Sequence, residues 1–161
     1  MIIEINDVIK QYNLFSGVDE LGAKIADLKG LSLRINRMIK NETHTIFIVG
    51  HLAQELSIKY NIIVVKRLNL KELLYRLRCR KYPASKIREN LIAEALDYCG
   101  VKAQAASNEV YEIESEASIA RIKSYIMSVQ AGKATVKPTA KQINHMKELA
   151  ALAKKEKEIG I

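Results

Sequence analysis

The sequence predicts an α/β fold: a parallel sheet with helices on both faces, followed by a helical C-terminal tail. Two runs carry most of that expectation. Thr45-Ile46-Phe47-Ile48-Val49 and Asn61-Ile62-Ile63-Val64-Val65 are continuous, apolar and β-branched, the pattern of strands buried on both faces. The third observation is alternation: stretches with helical apolar spacing separate these runs, which implies right-handed crossovers between parallel strands.

Taken in order, Ile2, Ile3 and Ile5 form a short strand that stops at Asn6-Asp7, a pair able to cap a helix carrying Val8, Ile9 and Tyr12. An irregular excursion with Gly17, Gly22 and Gly30 follows. Next comes an amphipathic helix with Leu31, Ile35, Met38 and Ile39 on one side and Arg34, Arg37 and Lys40 between them. Past the second buried run, Leu70, Leu73, Leu74 and Leu77 make one helical stripe, and Ile87, Leu91 and Ala95 another that ends at Gly100. Val110-Tyr111-Glu112-Ile113 reads as a strand, and a helix from about Ser118 to Val129 closes the domain. The expected division is a domain over 1–131 and a basic linker with a C-terminal helix over 132–161, that helix capped by Thr139 and carrying Ile143, Met146, Ala150 and Ala153.

Composition narrows the function classes. The net charge of +8 favours polyanionic partners, and residues 132–161 hold seven Lys against three acidic residues. Cys79 and Cys99 are too few for a disulfide framework, and the start of the chain turns polar too early for a signal peptide. No stretch reaches the roughly 20 apolar residues of a membrane helix. The expectation is a soluble, cytoplasmic protein with no membrane partner.

Ligands of open α/β sheets sit beyond the carboxyl ends of the strands, which points to Gly50-His51 and Lys66-Arg67. Arg76, Arg78, Arg80, Lys81, Lys86 and Arg88 place six cations in thirteen positions, either a phosphate-binding surface of guanidinium forks or a solvated basic face. His51 has two readings as well, functional at a strand end or structural. His44, His51 and His145 are too scattered for a metal site, so no protein-ligated metal is expected. No nucleophile–base arrangement or GxSxG is visible, and neither GxxxxGK[ST] nor GxGxxG occurs in the sequence.

From Ile3 to about Met127 the chain resembles the archaeal and eukaryotic adenylate kinase family whose eukaryotic member is the small nuclear, coilin-interacting ATPase and kinase. Glu4 to Ile9 and Tyr12 to Glu20 are similar to that family's monophosphate-binding region (here 4–27, with Asp7, Phe15, Gly17 and Asp19), and Ile48-Val49-Gly50-His51 to its strand-end motif. Val64-Val65-Lys66-Arg67 and Leu73 to Leu77 resemble the strand and helix before its lid. Residues 79–89 resemble the lid itself: Arg80 falls on its nucleotide-contacting arginine, and Arg76 and Arg88 flank it.

The resemblance implies a P-loop-kinase-like sheet and an ATP:nucleoside monophosphate phosphotransferase and ATPase that uses ATP and Mg²⁺ with an AMP-like acceptor. It also implies a link to maturation of the small ribosomal subunit. The matched pattern starts at the family's second strand, so the first βα unit with its Gly-Lys-Thr loop is expected to be missing and catalysis impaired. Val49 stands where the family often has an acidic residue. A homodimer or a partner chain completing the sheet is a further expectation. The competing reading is a non-catalytic module binding RNA or a small-subunit ribosomal protein.

Overall fold

The computed structural model describes residues 1–19, 24–133, 136–139 and 142–155. Gly22, in the expected excursion, lies outside them, as does the tail beyond Lys155. The fold is α/β with parallel strand pairs, divided into two compact units, Met1–Tyr60 and Asn61–Ile161.

In the first unit β1 (Ile2–Glu4) runs directly into α1 (Ile5–Gln11). The hairpin of β2 (Phe15–Val18) and β3 (Lys24–Ala26) precedes α2 (Leu28–Ile39), and β4 (Phe47–Val49) returns beside β1. β1 and β4 pair in parallel with Ile3 opposite Ile48. Ile3 and Ile5 turn into a core with Val8, Ile9, Leu31, Ile35, Leu56 and Ile58. Ile2, Phe47 and Val49 remain exposed on this ladder. Asp27 caps α2 by accepting from the Gly30 amide at 2.9 Å. The sequence reading missed the β2–β3 hairpin: both strands are short and β2 is mostly exposed, so neither shows an apolar period.

The second unit opens with β5 (Ile63–Lys66) and continues through α3 (Leu70–Cys79), α4 (Ala84–Ala95) and α5 (Tyr98–Ala106) to β6 (Val110–Ile113), α6 (Glu116–Gln130) and α7 (Met146–Lys155). β5 pairs in parallel with β6, Val65 opposite Glu112. The helix expected to end at Gly100 is two helices. Asp97 adopts a left-handed backbone, φ 57°, and its carboxylate caps α5 by accepting from the Gly100 amide at 3.1 Å. A Cβ at Gly100 would overlap that carboxylate, so this residue opens a helix rather than ending one.

The final helix begins at Met146, not after Thr139. Ile143 lies outside it because both of its backbone groups are held by side chains of the unit. α7 then packs Leu149 and Leu152 into a cluster with Leu70, Leu74 and Leu77 of α3 and Ile87, Leu91 and Ala95 of α4. Among the described residues no helix is long and apolar enough to cross a membrane.

Candidate functional site

Arg67, one residue past β5, is 1% exposed and is held by acidic side chains from three elements. Its Nε donates to Glu94 Oε1 at 2.7 Å, its Nη1 lies 2.8 Å from both Asp97 Oδ1 and Glu112 Oε2, and its Nη2 donates to the Glu94 carbonyl at 2.6 Å. Nη1 also donates to the Ile143 carbonyl at 3.1 Å, while Glu112 accepts from the Ile143 amide at 2.8 Å. Three carboxylates thus surround one guanidinium. Burial raises the Glu112 carboxyl above its ordinary value, and the neighbouring Asp97 adds to that rise against the pull of Arg67 and the Ile143 amide. The sequence pointed to this strand end, yet Arg67 is fully engaged internally and is not offered to a ligand.

The cationic cluster lies on the α3–α4 hairpin. Arg76, Arg78 and Arg80 fall on the last turn and C-cap of α3. Arg88 is on α4, and all four are exposed. Arg76 Nε donates to Glu72 Oε1 at 2.6 Å, one helical turn back. Arg80, at the turn, has no acidic partner for its guanidinium among the described residues. Lys81 takes a left-handed backbone, φ 56°, which tightens the chain before Pro83. Exposed Tyr82 has the Lys86 ammonium 5.6 Å from its ring centroid.

The first unit holds the remaining residues that the sequence singled out. Asp7 is exposed in the first turn of α1; Phe15 opens β2, half-buried, with the Lys24 ammonium 4.5 Å over its ring. Gly17 sits at the register irregularity of the hairpin, and Asp19 follows it, exposed. Gly50 has φ 152°, and a Cβ there would come within 2.8 Å of Ile5 Cβ, so close approach of the β4 end to the start of α1 requires glycine. His51 is exposed and its carbonyl accepts from Gln54 Nε2 at 2.7 Å. One contact escaped the sequence reading: the Arg34 guanidinium stacks 3.7 Å from the Tyr12 ring, and its Nε is buried with no hydrogen-bond partner. The lid-like arginines and this second group lie in different units.

Elsewhere in the second unit, Glu109 accepts from Tyr111 at 3.0 Å, Tyr125 at 2.8 Å and Lys137 at 2.7 Å. Burial alone would raise its carboxyl, but the hydrogen bonds from Lys137, Tyr125 and Tyr111 outweigh it and hold the group below its ordinary value. Among the described residues no group of three His, Cys, Asp or Glu is arranged to hold a metal ion.

No family model matches the chain. Curated relatives do. A protein named "Putative adenylate kinase" from Methanosarcina barkeri is 35% identical over 137 residues, 79% of this chain and 74% of that protein. One of the same name from Methanocaldococcus jannaschii is 32% identical over 115 residues, 71% of this chain and 62% of that protein. Another, from Methanosarcina acetivorans, is 31% identical over 143 residues, 82% of this chain and 75% of that protein. With that identity extending over most of an α/β chain whose strand–helix order runs as described, the chain belongs to the adenylate-kinase-like family that these archaeal proteins represent.

Proposed function

We propose that this chain carries the acceptor-nucleotide region and the lid of an ATP:nucleoside monophosphate phosphotransferase. The observation that carries the reading is Arg80: in a chain of this family, an exposed guanidinium with no acidic partner among the described residues stands at the turn of a cationic helical hairpin. Phosphoryl transfer depends on positioning and on cations that stabilise charge on the transferred group. Arg80, with Arg76 and Arg88 beside it, would close over the ATP phosphates. Asp7, Phe15, Gly17 and Asp19 would line the acceptor side with Gly50 and His51, beside the Arg34 guanidinium stacked on Tyr12. A Mg²⁺ ion would be held by the nucleotide phosphates, as is usual for this small, strongly hydrated cation.

These 161 residues contain no GxxxxGK[ST], so within them no glycine-rich loop cradles the β- and γ-phosphates. The chain alone is therefore expected to bind an AMP-like acceptor better than ATP and to transfer phosphate poorly. Calorimetric titration with AMP and with ATP tests this: AMP binding at least tenfold tighter than ATP binding supports it, and equal affinities with normal turnover refute it.

A second reading is favoured by the net charge of +8 and by exposed tyrosines among the hairpin cations, Tyr75 at 66% and Tyr82 at 36%. It makes the chain a module for RNA or a small-subunit ribosomal protein, the association with ribosome maturation that the resemblance suggests. Stacking on aromatic rings beside cations is how single strands are held without sequence preference. Affinity for a single-stranded RNA that falls steeply with salt would support it, and absence of binding at low salt would end it.

A further inference from the structure

We propose that residues 142–155 brace the α3–α4 hairpin at its base and thereby set how freely its cationic turn moves. The inference rests on the lid reading above for its purpose, though not for its geometry. The hairpin is closed at its base by Arg67: α3 begins three residues after it, and its guanidinium grips both the side chain and the carbonyl of Glu94 near the end of α4. Into this closure the C-terminal segment inserts its own backbone, Ile143 giving its carbonyl to Arg67 and its amide to Glu112.

A second anchor follows at once. His145, buried, places Nδ1 3.1 Å from Glu148, and Glu148 in turn accepts from the Lys71 amide in the first turn of α3 at 3.4 Å. α7 then adds Leu149 and Leu152 to the apolar seam between the two hairpin helices. Two helices bury only their facing stripes, and a third completes the cluster and restrains both.

Among the described residues, the turn at the other end has no comparable support. Arg80, Lys81, Tyr82 and Pro83 are all exposed. A hairpin fixed at one end and free at the other moves as a lever, so any change in the grip of α7 should be felt at the turn. Local opening free energy follows local burial and packing, and the turn has the least of both.

Amide hydrogen exchange on the full chain, read by mass spectrometry beside tryptic cleavage after Arg80, tests the brace. Leu152→Ala opens the shared seam, and Leu149→Ala, at a half-buried position, is the milder variant that leaves the core filled. Met127→Ala, on the exposed side of α6, is the control. Expected is exchange at least about fivefold faster across residues 70–95 in both leucine variants, with faster cleavage after Arg80 and unchanged β5 and β6.

Two results would overturn the proposal: loosening of α7 with the hairpin unchanged, or Leu149→Ala speeding exchange in β5 and β6 as much as in the hairpin. The lid reading fails separately. If ATP, at a concentration that calorimetry shows to saturate the parent chain, does not slow exchange at residues 79–84, the turn is not a nucleotide lid, whatever the leucine variants show.

Discussion

Gly50 and Arg67 show how differently two residues at strand ends are constrained. Gly50 is held by geometry: with φ at 152° and Ile5 against it, Gly50→Ala combines backbone strain with overlap. It should cost about 1–3 kcal/mol in a urea melt. Arg67 is held by charge. Arg67→Met would leave Glu94, Asp97 and Glu112 facing one another without a counter-ion, a loss of about 3–5 kcal/mol near neutral pH. Because those carboxylates can then take up protons, the deficit should shrink as the melt is repeated toward pH 4.

Glu109 gives a cleaner pH signature. Its carboxyl titrates lower in the folded chain than its ordinary 4.5. The unfolded chain therefore binds the extra proton first, so this contribution is complete above about 4.5 and is lost as pH falls through the folded value. Glu109→Gln should flatten that acid limb. Glu112, raised by burial, has the opposite sign: above 4.5 the folded chain holds the extra proton, and stability declines as pH rises through its folded value. At the surface, Arg80→Ala should leave the melting transition within about 0.5 kcal/mol while weakening ATP binding roughly tenfold if the turn is a lid.

Among elements, those with a strong apolar period were the legible ones. β5, β6, α2, α3 and α6 stand where the β-branched runs and apolar stripes put them, but β5 alternates, Val65 buried and Val64 exposed, so its continuous apolar run is not covered on both faces as that pattern predicts. The break between α4 and α5 was not read, although its signal is present: Asp97 stands three residues before Gly100, the spacing of an N-cap and an amide with room for the carboxylate. Thr139 looked like a helix cap because its side chain suits one, and the Ile143 backbone was captured instead by groups that no local window contains. The Arg67 network was legible only as a place. Its partners lie up to 76 positions away, and nothing in their spacing marks them as neighbours.

At the scale of the molecule, each parallel ladder has two strands among the described residues, fewer than an independently stable sheet usually has. The first also shows Ile2 at 69%, Phe47 at 43% and Val49 at 44% exposure. Such a face favours association. Light scattering should show mass rising with concentration, and Phe47→Ser should shift that rise to higher concentration; a strictly monomeric parent chain would remove this expectation.

The Ile143 clasp has a consequence in time. All the contacts that build the core of Met1–Tyr60 are made within its own residues, so they are in hand early in synthesis. In the second unit, Arg67 waits for a carbonyl 76 residues downstream. Synthesis adds roughly 5–20 residues per second, so Ile143 follows Glu112, the last of the three carboxylates, by seconds. The cationic hairpin is thus without its brace until residues 142–155 have been added.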